Sequence, residues 1–176
     1  MTPPDSPRFL TDSSLGPLAR RLRVLGHDVE VHPGARLEEL LEAAQRDGRV
    51  VITLSARRPK RWQDVPVIGA TRGDLAGSLR AAIVAGPAAR APFSRCSRCN
   101  GALARRSAFE AHGEVPGRVV RSGRPLGCCV ACGQWFWLGT HARRLTAWLE
   151  ETLGVRLEFE GREALDGPDR AGPSAA

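Results

Sequence analysis

Residues 9–28, FLTDSSLGPLARRLRVLGHD, contain a short apolar strand followed at once by an amphipathic helix. The apolar residues of the helical part recur at i, i+3, i+4, i+7 and i+10, on one stripe: Leu15, Leu18, Ala19, Leu22 and Leu25. We expect a strand over 8–12 and a helix over 15–25 that ends at Gly26. A strand followed by such a helix is the first half of a parallel crossover.

The same alternation of apolar runs and amphipathic stretches continues to about residue 85. It predicts three further strands and two further helices: strands 28–31, 50–53 and 65–68, and helices 37–47 and 74–85. Because parallel neighbours need connections of this length, the order β-α-β-α-β-β-α predicts an α/β fold, a small parallel sheet with covering helices.

A linker rich in Pro and Ala, residues 86–92, separates this α/β domain, predicted over 8–88, from a second domain over 93–153. The second domain contains the cysteines of the chain and ends in a helix predicted from about 142 to 153. The polar ends, residues 1–7 and 154–176, have a composition typical of flexible tails.

Two Cys-x-x-Cys pairs mark the second domain: Cys96 with Cys99, and Cys129 with Cys132. Four thiolates suit tetrahedral Zn²⁺, with Zn–S distances of about 2.3 Å, and such closed sites are usually structural. The long segment between the pairs fits a zinc ribbon, in which two hairpins each carry one pair. Disulfides in a secreted protein are the alternative, and paired Cys-x-x-Cys motifs without a leader favour metal over them.

Cys128 is a fifth cysteine, directly beside Cys129. Pairing it with Cys132 is the other ligand choice that the spacing permits, but Cys129 matches the spacing of the first pair. We interpret Cys128 as a spare thiol, with a redox role as the alternative.

The formal net charge of +7, from 26 Lys and Arg against 19 Asp and Glu, favours a polyanionic partner such as nucleic acid. Lys60 is the single lysine, and a preference for arginine over lysine is typical of a GC-rich genome, which is the alternative source of part of this charge. Residues 1–8 lack the apolar core of a secretory signal, and no apolar run is long enough to span a bilayer. Together with metal-type cysteines, these features predict a cytoplasmic protein without a membrane partner.

Asp12 ends the first predicted strand, at the edge where parallel sheets bind ligands. A carboxylate there suits a hard metal ion, and capping of the next helix is the equal alternative. Arg20, Arg21 and Arg23 lie off the apolar stripe of the first helix and suit phosphate contacts, with a solvated polar face as the alternative.

Several stretches together resemble the mut-seven C-terminal RNase domain family, in which a PIN-like domain precedes a zinc ribbon. The similarity runs from about residue 8 to 148: residues 9–28, LEELL at 37–41, GRVVIT at 48–53, FSRCSRCNG at 93–101 and CVACGQWFWLGTH at 129–141. The four cysteines of the two pairs match the zinc ligands of the family.

The resemblance implies a Mg²⁺- or Mn²⁺-dependent ribonuclease fold that acts on RNA, in which Asp12 and Asp28 match acidic residues of the catalytic site. Two positions depart from the family pattern. Leu37 stands where the family has an aspartate, and Ser55 stands where it has the acid after the third strand. The expected function is therefore a metal-dependent ribonuclease-family protein whose catalytic acids are partly lost, and the alternative is a noncatalytic nucleic-acid-binding zinc-ribbon protein.

The aromatic segment near the end of the ribbon leaves its own alternatives open. Trp135 and Trp137 share one face of a predicted strand, where they either stack on bases or pack as ribbon core. We expect His141 to pack or cap, while RNA contact or general acid chemistry is the alternative.

Overall fold

The structure, a computed structural model, describes residues 8–34, 36–84 and 91–162. The predicted N-terminal tail 1–7, most of the linker and the end of the C-terminal tail lie outside these described residues. The chain divides into two compact units, Met1–Leu103 and Ala104–Ala176. No helix in the described part of the chain is long and apolar enough to cross a membrane.

The first unit is built on a parallel sheet, as the sequence predicts. Its strands are β1 (Phe9–Asp12), β2 (Val29–His32), β3 (Val50–Thr53) and β4 (Val67–Gly69). They are ordered β2-β1-β3-β4, and all three pairings are parallel. The α/β fold with a small parallel sheet is therefore confirmed.

Three helices cover this sheet: α1 (Gly16–Val24), α2 (Leu37–Asp47) and α3 (Leu75–Val84). The predicted helix over 15–25 begins with one 3-10 turn, Ser13–Leu15, before α1 continues it. Helix α2 has the predicted bounds and ends at Gly48, which has a φ of +62° and donates its N–H to the Ala44 carbonyl. That left-handed conformation favours glycine, so the glycine at this position indicates the end of the helix in the sequence.

Strand alternation divides the core into two layers. Leu10 and Val51 face α2, where they form a cluster with Leu40, Leu41 and Ala44. The neighbouring residues on β1 and β3 point to the opposite face of the sheet. Helices α1 and α3 pack against each other. Because apolar side chains leave both faces of β1 and β3, these two central strands are almost wholly buried.

The described part of the second unit contains a three-stranded sheet, in which the last two strands pair antiparallel, and two helices. The strands β5 (Leu103–Arg106), β6 (Leu126–Cys129) and β7 (Trp135–Trp137) are ordered β5-β6-β7. Helix α4 (Gly117–Arg121) precedes β6, and α5 (Thr140–Leu153) follows β7. Trp135 packs on a small apolar cluster made by Ala111, Val115, Val119 and Leu126.

The start of the C-terminal tail differs from the sequence analysis, which placed it at residue 154. In the structure the chain folds back onto α5 as far as residue 162. Leu157 is buried and donates its N–H to Glu150, and the buried Arg162 pairs with Glu150 at 2.5 Å. An ion pair shielded in this way holds the returning segment to the helix.

The sequence analysis did not single out His27, which is buried between α1 and β2. Its side chain is 3% exposed, and its ring meets Phe9 edge-on with centroids 5.5 Å apart. Burial lowers the pKa of His27 to about 4, and the positive charge of Arg95 acts in the same direction. His27 is therefore neutral in the folded protein at any pH near neutrality.

We predict that His27 makes stability fall on acidification. The unfolded chain takes up a proton at this histidine below about pH 6.5, whereas the folded chain resists protonation until about pH 4, so each step down in that window favours unfolding. Between pH 7 and pH 5 the wild type should lose about 2 kcal/mol more than His27→Gln in urea unfolding. The exposed His141→Gln is the control, and equal losses in His27→Gln and wild type would contradict the prediction.

Candidate metal centre and carboxyl edge of the sheet

The four predicted zinc ligands come together in the structure. The sulfurs of Cys96, Cys99, Cys129 and Cys132 all lie within 4.8 Å of one another. Tetrahedral ligands at about 2.3 Å from Zn²⁺ are about 3.8 Å apart, so a slight contraction would close the site on one ion. None of the five cysteines, each in the described part of the chain, forms a disulfide bond in the structure.

Each cysteine pair is held in a tight turn by its own backbone. The Cys96 N–H donates to the Gly101 carbonyl at 2.8 Å, and the Asn100 N–H donates to the Cys96 carbonyl at 2.9 Å. In the second turn Gly133 donates to Cys129 at 3.0 Å. Asn100 and Gly133 occupy equivalent places with φ of +72° and +68°, so the two turns share one geometry.

Cys128 lies outside the group of four. It is a half-buried residue of β6 opposite Trp135, and its thiol points to the Cys129 carbonyl at 3.8 Å. Successive side chains of a strand leave opposite faces, so Cys128 points away from the direction taken by Cys129. This placement agrees with its interpretation as a spare thiol.

The first cysteine turn belongs to the compact unit of the parallel sheet, whereas the sequence analysis grouped it with the ribbon domain. One contact between this turn and the sheet unit comes from Arg23, a buried residue of α1 that is 6% exposed. Its Nη1 donates to the carbonyls of Ser97 and Arg98 at 3.2 and 2.9 Å, and its Nε donates to the Val29 carbonyl at 2.9 Å. Burial lowers the pKa of Arg23, and the charges of Cys99 and Cys96 oppose that shift.

This placement corrects the expectation that Arg23 contacts phosphate, because its guanidinium is enclosed and bonded to three carbonyls. Arg20 is exposed on the same helix. Arg21 is half-buried and donates to the Pro17 carbonyl at 3.1 Å. Of the three predicted RNA-binding arginines, Arg20 is the one whose side chain faces solvent fully.

Asp28 lies just before β2, where three side chains converge on its carboxylate. Arg49 donates to Oδ1 at 2.8 Å, Asn100 donates to Oδ1 at 2.8 Å, and Arg95 donates to Oδ2 at 3.3 Å. Burial alone would raise the pKa of Asp28, but the hydrogen bonds from Arg49 and Asn100 and the charges of Arg49 and Arg95 lower it. The carboxylate is thus ionised and fully engaged.

The structure does not bring the two predicted catalytic aspartates together. Asp12 ends β1 and is in register with His32, the last residue of β2. Asp28 is four residues before His32, which corresponds to about 13 Å along the strand. Asp12 therefore lies at the carboxyl edge of the sheet and Asp28 at the amino edge.

Asp12 caps the 3-10 turn that follows it, the alternative that the sequence left open. Its Oδ1 accepts the Ser14 N–H at 2.8 Å and also the Ser14 hydroxyl. Oδ2 makes no hydrogen bond within the part of the chain that the structure describes. The residue is half-buried at this edge, so hydrogen bonds within the described chain engage one of its two carboxylate oxygens.

The carboxyl ends of β3 and β4 form an open pocket of about 390 Å³. It is lined by Thr53, Leu54, Ser55, Ala56, Arg58, Gly69 and Ala70. Arg58 is anchored to the loop through the carbonyls of Ser55 and Arg57, at 3.2 and 3.0 Å. The end of β3 and the loop after it therefore offer hydroxyls and a guanidinium to this pocket.

The other acids near this edge do not complete a carboxylate site. Leu37 packs on the α2 core, and Glu38 pairs with Arg57 at 3.5 Å. Among the described residues, the cysteine group is the one set of three or more His, Cys, Asp or Glu side chains close enough to share an ion.

Sequence reasoning missed His32 and Arg58 at this edge. The predicted second strand stopped at residue 31, one short of His32, and strand ends are the least certain part of such a prediction. Arg58 sits in an irregular loop without periodicity, so only the position of the loop after β3 pointed to it. On the ribbon, Trp137 and His141 are exposed, whereas Trp135 packs in the core.

The first unit is a parallel α/β fold, and four cysteines of the chain lie close enough together to hold a metal ion such as zinc. The Mut7-C RNAse domain family model matches residues 7–149, a stretch that includes both the parallel sheet and the four cysteines. The chain belongs to this family, as the resemblance indicated. No curated protein and no solved structure matches the chain.

We predict about one zinc ion per chain and a sharp difference between neighbouring cysteines. Cys96→Ser should lose zinc and destabilise the folded protein, because a thiolate ligand is removed from a closed site. Cys128→Ser is the matched control and should keep full zinc content. Metal analysis of the purified variants, with thermal melts, measures both effects. Equal zinc content in the two variants would count against the four-cysteine site.

We also predict that Asp28→Ala lowers the free energy of unfolding by about 3 kcal/mol, because it leaves the buried Arg49 with one carboxylate fewer. Asp64→Ala, at an exposed acid, is the control and should change stability little. Since the pKa of Asp28 is lowered, its contribution is complete above the ordinary carboxyl range and is lost as the pH falls below it. Urea unfolding at neutral and acidic pH checks both statements.

Proposed function

We propose that this chain acts on RNA at the carboxyl edge of its parallel sheet, as a metal-dependent ribonuclease whose catalytic acids are partly lost. The observation that carries the proposal is the position of Asp12, which ends a central strand next to β3, whose carboxyl end lines a pocket together with Arg58, in a chain of an RNase domain family. Ligands of parallel α/β sheets bind at this edge.

The charges around the edge support a polyanionic substrate. Arg58 lines the pocket, and the exposed Arg57, Lys60 and Arg61 flank it in the same segment. Guanidinium groups bind phosphate in a bidentate manner, and the net charge of +7 strengthens the attraction. Arg20 and Arg21 extend the proposed contact surface on α1.

The donor set fits a weakly held Mg²⁺ or Mn²⁺ better than a tightly bound one. Mg²⁺ keeps most of its waters and is usually bound through one or two carboxylates together with substrate phosphates. Asp12 supplies one carboxylate oxygen, so RNA phosphates would have to supply further ligands. Such an ion, when bound, activates water against a phosphodiester.

Noncatalytic RNA binding is the second candidate, favoured by the contacts of both aspartates. Asp12 already caps a turn through one oxygen, and Asp28 is engaged at the opposite edge. We propose that Asp28 stabilises the amino edge instead of taking part in hydrolysis. Structural zinc at the four cysteines and a cytoplasmic location complete the proposal.

We predict that Asp12→Asn slows cleavage at least 10-fold and preserves the fold. Asparagine caps helices as well as aspartate does, so this change removes the charge and keeps the cap. Single-stranded RNA with Mn²⁺ should be cleaved by the wild type and by Asp64→Asn, an exposed control of equal charge change, but at least 10-fold more slowly by Asp12→Asn.

The same assay separates the two candidates. Cleavage by Asp12→Asn at the wild-type rate would overturn hydrolysis at this edge. Salt-sensitive RNA binding without cleavage, weakened by Arg58→Ala, would favour the noncatalytic candidate. A wild type that neither cleaves nor binds RNA would overturn the RNA assignment altogether.

A further inference from the structure

The peptide backbone between Cys96 and Cys99 is held by a side chain from the parallel-sheet unit. Arg23 of α1 donates from one nitrogen to the carbonyls of Ser97 and Arg98, the two residues between the cysteines. Its Nε donates to the Val29 carbonyl, so the guanidinium links helix, strand and cysteine turn in one plane. Two adjacent carbonyls fixed in this way restrict both peptide planes of the turn.

Asn100 fastens the same turn on its other side. Its Oδ1 accepts the Val29 N–H at 3.1 Å, and its Nδ2 donates to Asp28 at 2.8 Å. Arg95 donates to the Asn100 carbonyl at 2.9 Å and also reaches Asp28. The residues before, between and after the two cysteines are thus all bonded to α1 or to the start of β2.

The charge of Arg23 suits this place. A buried guanidinium is costly unless its donors are satisfied and a negative charge is near. Zn²⁺ with four thiolates carries an excess of negative charge, and Arg23 donates to the two residues that lie between Cys96 and Cys99. The arginine therefore gains from a loaded metal centre, and the metal centre gains from the arginine.

We propose that Arg23 and Asn100 are positioning residues of the metal centre, which hold the first cysteine turn in the conformation that binds zinc. Outer contacts of this kind orient ligands, and their loss commonly costs 10- to 100-fold in metal affinity. The inference rests on zinc as the ion of the four-cysteine group.

The test measures zinc affinity of the full chain by competition with a chromophoric chelator. Arg23→Met keeps much of the side-chain volume and removes all three hydrogen bonds, and should weaken zinc binding about 10- to 100-fold. Arg20→Met, on the exposed side of the same helix, is the control and should bind zinc as the wild type does.

Asn100→Gly keeps the test valid if Arg23→Met fails to fold. Glycine accepts the φ of +72° without strain, so this variant removes only the side-chain bonds to Val29 and Asp28. We expect a weakening of about 10-fold, and a change in the absorption bands of the Co²⁺-substituted protein that reports altered ligand geometry.

Two results would overturn the inference: folded Arg23→Met and Asn100→Gly proteins with wild-type zinc affinity, or a loss that Arg20→Met shows equally. A fall in melting temperature with unchanged zinc affinity would assign Arg23 to fold stability alone and would also overturn it. A wild type that binds no zinc would instead refute the metal assignment, an outcome that the wild-type titration distinguishes.

Discussion

The carboxylate of Asp28 is the contact on which the first unit depends most. It accepts a hydrogen bond from Arg49, which also donates to the Phe9 carbonyl of β1 and forms an ion pair with Glu30 of β2. It also accepts hydrogen bonds from the side chains of Asn100 and Arg95, at the cysteine turn. A single side chain thereby joins the two strands at their amino ends to a segment about 70 residues later in the chain. A buried cation at Arg49 would be costly without this carboxylate, so the network is cooperative.

The two ends of the parallel sheet have become chemically different as a result. The amino edge is closed by charges that neutralise one another and by the docked cysteine turn. The carboxyl edge stays open, with Asp12, His32 and the pocket beside Arg58 facing solvent. Binding chemistry at the open edge can therefore vary without disturbing the contacts that hold the unit together.

Much of the fold could be predicted from the sequence because its signals are local. The stripe of apolar residues fixed α1, the Gly48 stop fixed the end of α2, and the two Cys-x-x-Cys motifs fixed the metal ligands. The roles of the charged residues could not be predicted in this way. Arg23 occupies a polar position of its helix and looks solvated until the cysteine turn covers it. In the sequence, Asp28 looks like an ordinary turn residue between a helix and a strand. Only the register of β1 and β2 shows that it lies at the amino edge of the sheet.

The contacts of Asn100 set an unusually narrow limit on sequence change at that position. Its backbone lies in the left-handed region, its amide oxygen accepts from Val29, and its amide nitrogen donates to Asp28. Glycine can adopt the backbone conformation but makes neither side-chain hydrogen bond. Aspartate would place a second negative charge against Asp28, and glutamine is longer and adopts positive φ less readily than asparagine. Among the twenty amino acids asparagine alone satisfies all three demands, so divergence elsewhere in the chain should leave this residue unchanged for as long as the turn docks on the sheet.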